Sequence, residues 1–177
     1  ALVDVLPGVV DAARLDEPAA SYDVVVSTQV AEYVPDIAAF CREAFRVLKP
    51  GGRALIMATD WDAIGWYSRE PARMQRVLAA FAPHCADSAL PRTLGRRLRE
   101  AGFALDAVIP HPILNHGWQD DSYSCRTMPF IAAYVGRQGT VPAEELAAWA
   151  AEQRALGESG EYYFFTCRMI FAATRPA

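Results

Sequence analysis

An α/β fold with a parallel sheet covered by helices is predicted by three stretches of this 177-residue chain. Tyr22 to Met57 divides into strand, helix and strand; helical-period segments fill the middle; and Tyr162 to Ala172 is a long β-prone run near the end. Strands alternating with helices are the pattern of a sheet built from βαβ units.

Each element has its own signal. Val24-Val25-Val26 is apolar and β-branched on consecutive positions, which predicts an interior strand buried on both faces. Ile37, Phe40, Cys41, Ala44 and Leu48 recur at helical spacing behind the start signal Pro35-Asp36, and Lys49-Pro50-Gly51-Gly52 closes that helix. Arg46 and Lys49 stand in its last turn, where cations suit the helix dipole. Ala54 to Met57 is the next strand, expected to lie parallel to the first. From Glu70 to Ala82, Met74, Val77, Leu78 and Phe81 mark a packing helix. Leu90-Pro91 opens another, with Leu94 and Leu98 inward and Gly102 in the left-handed position that ends helices. Ala104 to Ile109 reads as a strand, and His111 to Asp121 as a polar, aromatic insertion between late strands. Met128 to Val135 predicts a short helix ended near Gly136. Thr140-Val141-Pro142 then starts a longer one, with Leu146, Trp149, Ala150 and Leu156 on one face, stopped at Gly157 and Gly160.

Composition bounds the function. A chain 53% hydrophobic and 21% charged is that of a single globular domain with a substantial core, neither disordered nor fibrous. The net charge is -4, and the basic residues, all arginine except Lys49, form no block, so nucleic acid is not an expected partner. The densest group, Arg92 to Arg99, fits the solvated face of a helix. No apolar run reaches the length of a membrane span and no charged leader precedes an apolar segment, so the expected address is the cytoplasm. Cys41, Cys85, Cys125 and Cys167 lack Cys-x-x-Cys spacing and disulfide density; they are expected to be reduced, and no metal site is expected. His111 and His116, five apart in a non-helical stretch, support none either.

Tyr-Asp-Val-Val-Val-Ser at Tyr22 to Ser27, the polar turn behind it, the amphipathic helix and Arg-Val-Leu-Lys-Pro-Gly-Gly-Arg at Arg46 to Arg53 together resemble the class I S-adenosylmethionine-dependent methyltransferases. The closest likeness is to the small-molecule group similar to the ubiquinone and menaquinone methyltransferases. The resemblance implies a Rossmann-like sheet, mostly parallel with an antiparallel last strand, S-adenosylmethionine as cofactor, and methyl transfer to an oxygen, nitrogen or carbon atom of a small molecule. Asp11 to Asp23 matches the family stretch without a gap. Asp11 therefore inherits a hydrogen bond to the adenine amino group, a task suited to an acceptor-only carboxylate, and Ala12 a place in the adenine pocket. Thr28 and Gln29, at the carboxyl end of the strand, inherit contacts to the cofactor.

Relatives commonly carry Glu-His where this chain has Glu32-Tyr33, so no catalytic base is assigned, and Tyr33 is expected either to shape the pocket or to be a half-buried aromatic at a helix entry. Trp61 and Trp66 follow the second strand at the same edge and are expected either to line a substrate pocket or to cap the sheet. His116 is the candidate of the later loop, with a structural role as its alternative. At the ends of the last strand, Tyr163 and Arg168 either reach the pocket or pack in the core.

The glycine-rich turn and the acidic second strand of such domains are not found. Val3-Asp4-Val5-Leu6-Pro7-Gly8 resembles the turn faintly, with Leu6 in place of a glycine. The expectation is a partial methyltransferase domain over residues 1–177: a central βαβ unit at 11–60, helices and substrate-side insertions at 61–160, and the final strand at 161–175. Alternatives from other classes are a non-catalytic methyltransferase-like scaffold and one half of a split enzyme. A homodimer is left open.

Overall fold

Asp36 sets where the first helix begins, because its Oδ1 accepts the Ala39 N–H at 2.8 Å and satisfies one of the free donors of the first turn. The computed structural model describes residues 10–177; the Val3 to Gly8 stretch lies outside them. In chain order the elements are β1 Tyr22–Thr28, α1 Ile37–Val47, β2 Leu48–Thr59, β3 Gly65–Trp66, α2 Pro71–Phe81, α3 Pro91–Glu100, β4 Ala104–His116, α4 Tyr123–Gln138, α5 Ala143–Glu158 and β5 Tyr163–Thr174. No described helix is long and apolar enough to cross a membrane, and the four cysteines are free thiols.

β1 and β2 pair in parallel, with Val25 opposite Ala54. β5 enters antiparallel between β2 and β4 and also pairs with the short β3. Every strand but β5 therefore runs the same way, the mostly parallel arrangement with an antiparallel last strand that the resemblance implies.

Two cores form, one on each face. Residues Ala54, Ile56, Ala58, Phe171 and Ala173 of the sheet meet Phe40, Cys41 and Ala44 of α1 and Leu94 and Leu98 of α3. Tyr162, beside the other end of β5, and Phe164 within it meet Trp66, Met74 and Val77, Met128 and Ile131 of α4, and Trp149 and Leu156 of α5. The alternation of β5 explains the division, since successive side chains point to opposite faces. The second core is pinned by Glu152 on α5, which accepts from Ser68 Oγ at 2.8 Å, the Arg69 N–H at 2.6 Å and Arg73 at 2.7 Å, tying α5 to the start of α2.

Several expectations need correction. Val24-Val25-Val26 is not an interior strand buried on both faces: β1 has β2 as its one strand neighbour among the described residues, and Val24 and Val26 are 50% and 63% exposed. Consecutive β-branched residues report β-propensity, but burial requires neighbours on each side. Residues 48–52 do not close a helix; they already belong to β2, and Gly51 takes up the bend at φ 78°.

His111 to His116 is not part of a loop, because β4 runs on through it, paired with β5 as far as His116 opposite Tyr163. Pro110 and Pro112 hid this strand. They are tolerated because β4 is an edge strand whose one partner among the described residues is β5. Met128 to Val135 is the middle of a helix twice that length, which starts at Ser122, whose Oγ accepts the Cys125 N–H, and stops at Gly139 in the left-handed conformation.

Gly157 lies inside α5 rather than stopping it. Glycine to alanine inside a helix normally gains about 0.5–1 kcal/mol. Here a Cβ would stand 2.5 Å from Trp118 Cβ. We therefore expect Gly157→Ala to destabilise the protein by about 1–3 kcal/mol in thermal unfolding. Gly136→Ala, whose Cβ would meet Leu146 at an ordinary 3.8 Å, should be neutral or stabilising.

Candidate functional site

The carboxyl ends of β1 and β2 open onto two neighbouring turns. After β1 the chain passes Gln29 in the left-handed region, at φ 54°, and makes one helical turn over Ala31–Tyr33. A glutamine there carries backbone strain, which concentrates at functional sites. Two bonds at 2.8 Å hold it: its N–H donates to Met57 O and its Nε2 to Thr59 Oγ1. After β2, Asp60 forms a bidentate pair with Arg92 of α3, at 2.8 and 3.0 Å, and a second single turn spans Trp61–Ala63.

Glu32 joins these pieces. It is wholly buried; its Oε1 accepts the Thr59 N–H at 3.3 Å, and its carbonyl accepts the N–H groups of Ala86 and Asp87. Its Oε2 and the Trp61 Nε1–H lie beside one another, the indole donor favouring the charged carboxylate while falling short of full hydrogen-bond geometry. Burial pushes the Glu32 carboxyl above the ordinary range, opposed by its own and the Thr59 N–H groups, by the positive field of Arg168 and by the Trp61 indole N–H.

Around Glu32 stands a set of rings. His84 stacks on Phe81 at 3.7 Å and meets the edge of Trp61 at 4.7 Å and of Tyr33 at 5.8 Å. Its Nδ1 lies 2.9 Å from Phe81 O, so that nitrogen carries the proton and donates. Nε2 is left as a buried lone pair with no partner. Burial lowers the pKa of the ring, keeping it neutral and the lone pair free. Burial likewise pushes Tyr33 up to about 12 and Cys85 up to about 11, so both stay protonated at neutral pH.

The residues singled out from the sequence divide. Ala12 and Thr28 line one cavity of about 310 Å³, with Leu15, Val26, Ser27 and Val30. Asp11, next in the chain to Ala12, is exposed and does not line it; its Oδ1 accepts the Ala13 N–H at 2.9 Å. Gln29 turns to Thr59, and no part of it lines that cavity. Trp61 and Trp66 line a second cavity of about 600 Å³ with Tyr67, Met74, Leu78 and Phe81. Tyr33 joins the rings around His84.

His116 does not join them; it is exposed at the far end of β4. Its place as a loop residue rested on a break in the sheet that does not exist. Sequence reasoning passed over Tyr123 and His84. His84 is the half-buried imidazole of the site, yet it is a lone histidine between two helices with no local signal.

Comparison with known proteins agrees with this architecture. Residues 5–56 match the family model of a methyltransferase domain. A Synechocystis protein, 2-methyl-6-phytyl-1,4-hydroquinone methyltransferase, is 43% identical over 52 residues, 29% of this chain and 16% of that protein. A candidate S-adenosylmethionine-dependent methyltransferase of Mycolicibacterium smegmatis is 54% identical over 44 residues, 25% of this chain and 17% of its own length. A crystal structure of a candidate methyltransferase from Bacillus halodurans superposes with a TM-score of 0.59 at 17% identity, over 94% of this chain and 76% of that one. The fold is thus the Rossmann-like fold of the class I methyltransferases. The matched stretches span no more than 26% of the length of the curated relatives.

The buried Glu32 gives a pH test. A carboxyl whose folded pKa is raised contributes stability that is complete below its unfolded value and is lost as pH rises through the folded value. Unfolding free energies of wild type and Glu32→Gln, measured from pH 4 upward by denaturant titration, should separate above about pH 4.5. The wild type should lose ground to the variant as pH rises.

Proposed function

We propose that the protein transfers a methyl group from S-adenosylmethionine to an oxygen, nitrogen or carbon atom of a small molecule. The observation that carries this reading is the cavity lined by Ala12, Thr28 and Val30, at the carboxyl edge of β1. Open α/β sheets bind their ligands at that edge. The lining is small and apolar, suited to a flat purine, and Asp11, next in the chain to Ala12, keeps one carboxylate oxygen free to accept from an exocyclic amine.

The cofactor, when bound, supplies a methyl group already activated on sulfonium. What remains for the chain is alignment, exclusion of water and handling of a proton. Trp61 and Trp66, with Met74 and Phe81, wall the larger cavity and keep water from a bound acceptor. Neutral His84 stands behind Trp61 and Phe81 of that wall, and because its Nδ1 is committed to Phe81 O, its Nε2 keeps a lone pair for any donor that reaches it. The similarity to a hydroquinone methyltransferase supports an aromatic acceptor. The exposed edge of β1 favours a second reading, a methyltransferase-like scaffold that pairs with another chain.

Calorimetric titration of S-adenosylmethionine and S-adenosylhomocysteine into the longest open reading frame that contains these residues separates the two. Both ligands should bind, and Ala12→Trp, which fills the cavity from a partly buried turn, should weaken them at least about tenfold, with circular dichroism checking that the fold is kept. Failure of both ligands to bind wild type removes the enzyme reading in favour of the scaffold.

A further inference from the structure

Arg168 stands apart from the other arginines of the described residues. Arg46, Arg69, Arg73, Arg76, Arg92, Arg96 and Arg97 are ion-paired to carboxylates, and Arg175 donates to the Phe45, Arg46 and Leu48 carbonyls. The remaining arginines are exposed, where water solvates them. Arg168 is half-buried in the middle of β5 with neither arrangement: its Nε is buried without an acceptor, and no described carboxylate lies at ion-pairing distance. A guanidinium withdrawn from water without a partner is unfavourable, and it is retained where an anion completes it.

Its surroundings say what kind of anion. The guanidinium carbon lies 4.9 Å from the centre of the Tyr123 ring, a cation–π contact that orients the fork without neutralising it. Thr59 and His111 are its register partners on β2 and β4, so their side chains share its face of the sheet. Glu32 is near enough to feel its field, but that carboxyl is turned to the Thr59 N–H and its burial favours the neutral form. Tyr33, sensitive to both Tyr123 and Glu32, links Arg168 to the rings around His84.

We propose that Arg168 anchors the methyl acceptor through an oxyanion, a carboxylate or phosphate group, on an aromatic molecule held against Tyr33, Tyr123 and Trp61. Arginine suits this role because its fork matches both groups in a two-point hydrogen bond. The assignment rests on the methyl-transfer reading for the word acceptor alone; the anion site itself is independent of the cofactor.

The test therefore uses no methyl donor. Benzoate, phenyl phosphate and the neutral benzamide are titrated into the full chain by calorimetry, for wild type, Arg168→Gln, Arg168→Lys and the exposed control Arg154→Gln. One or both anions should bind wild type at least about tenfold more tightly than benzamide. Arg168→Gln should erase that preference, Arg168→Lys should keep part of it, and Arg154→Gln should leave it intact. Whichever anion is preferred identifies the carboxylate or the phosphate. If Arg168→Gln does not fold, the Arg168 Nε–H resonance of wild type provides the answer, shifting with the anion and not with benzamide. Equal binding of benzamide and both anions, no binding of either anion, a preference that survives Arg168→Gln or an unmoved Nε–H resonance each overturns the proposal. Because S-adenosylmethionine is absent, none of these results depends on whether the cofactor binds.

Discussion

β5 is the constraint on which the rest of the structure depends. It is the last strand in the chain, yet it lies between β2 and β4 and hydrogen-bonds to both, with Phe171 opposite Ile56 on one side and Val108 on the other. Its two faces feed the two cores: Phe171 and Ala173 pack toward α1 and α3, while Phe164 packs toward α2, α4 and α5. The antiparallel direction follows from its origin. The chain arrives from α5 at the edge where β2 ends, and β5 returns from there to the base of the sheet.

The site inherits its position from this arrangement. Glu32, Trp61 and Arg168 come from three separated segments, and β5 sets Arg168 opposite Thr59, whose N–H holds Glu32. A buried carboxyl with one oxygen unpartnered, an imidazole with one nitrogen unpartnered and an arginine with an unpartnered donor are each unfavourable alone. Their grouping at one sheet edge supports the proposed site, since each is a polar group that a bound ligand would satisfy. The same edge holds Gln29 in a conformation that its two hydrogen bonds must impose.

Much of the fold was legible residue by residue. Asp36 as a cap, Gly102 as a helix end, and Leu94 and Leu98 as buried helix positions are all local statements, decided within one or two turns of chain. The misreadings share a cause as well. Val24 and Val26 look like interior residues but lie at an edge, and Pro110 and Pro112 look like loop residues but lie in a strand. In each case the deciding fact is whether a neighbouring strand occupies a given side, which no spacing along the chain encodes.

By itself the sequence determined the α/β class, the order of most elements and the likeness to methyltransferases, because periodicity, caps and glycine turns act over a few residues. It also placed Ala12, Thr28, Trp61 and Trp66 at the edge where the cavities open. Only the tertiary structure decided that His84 belongs with Tyr33 and Trp61, that His116 does not, and that Arg168 is half-buried and unpaired. Those are relations between residues tens of positions apart. They come into being when β5 closes the sheet and removes the surrounding water.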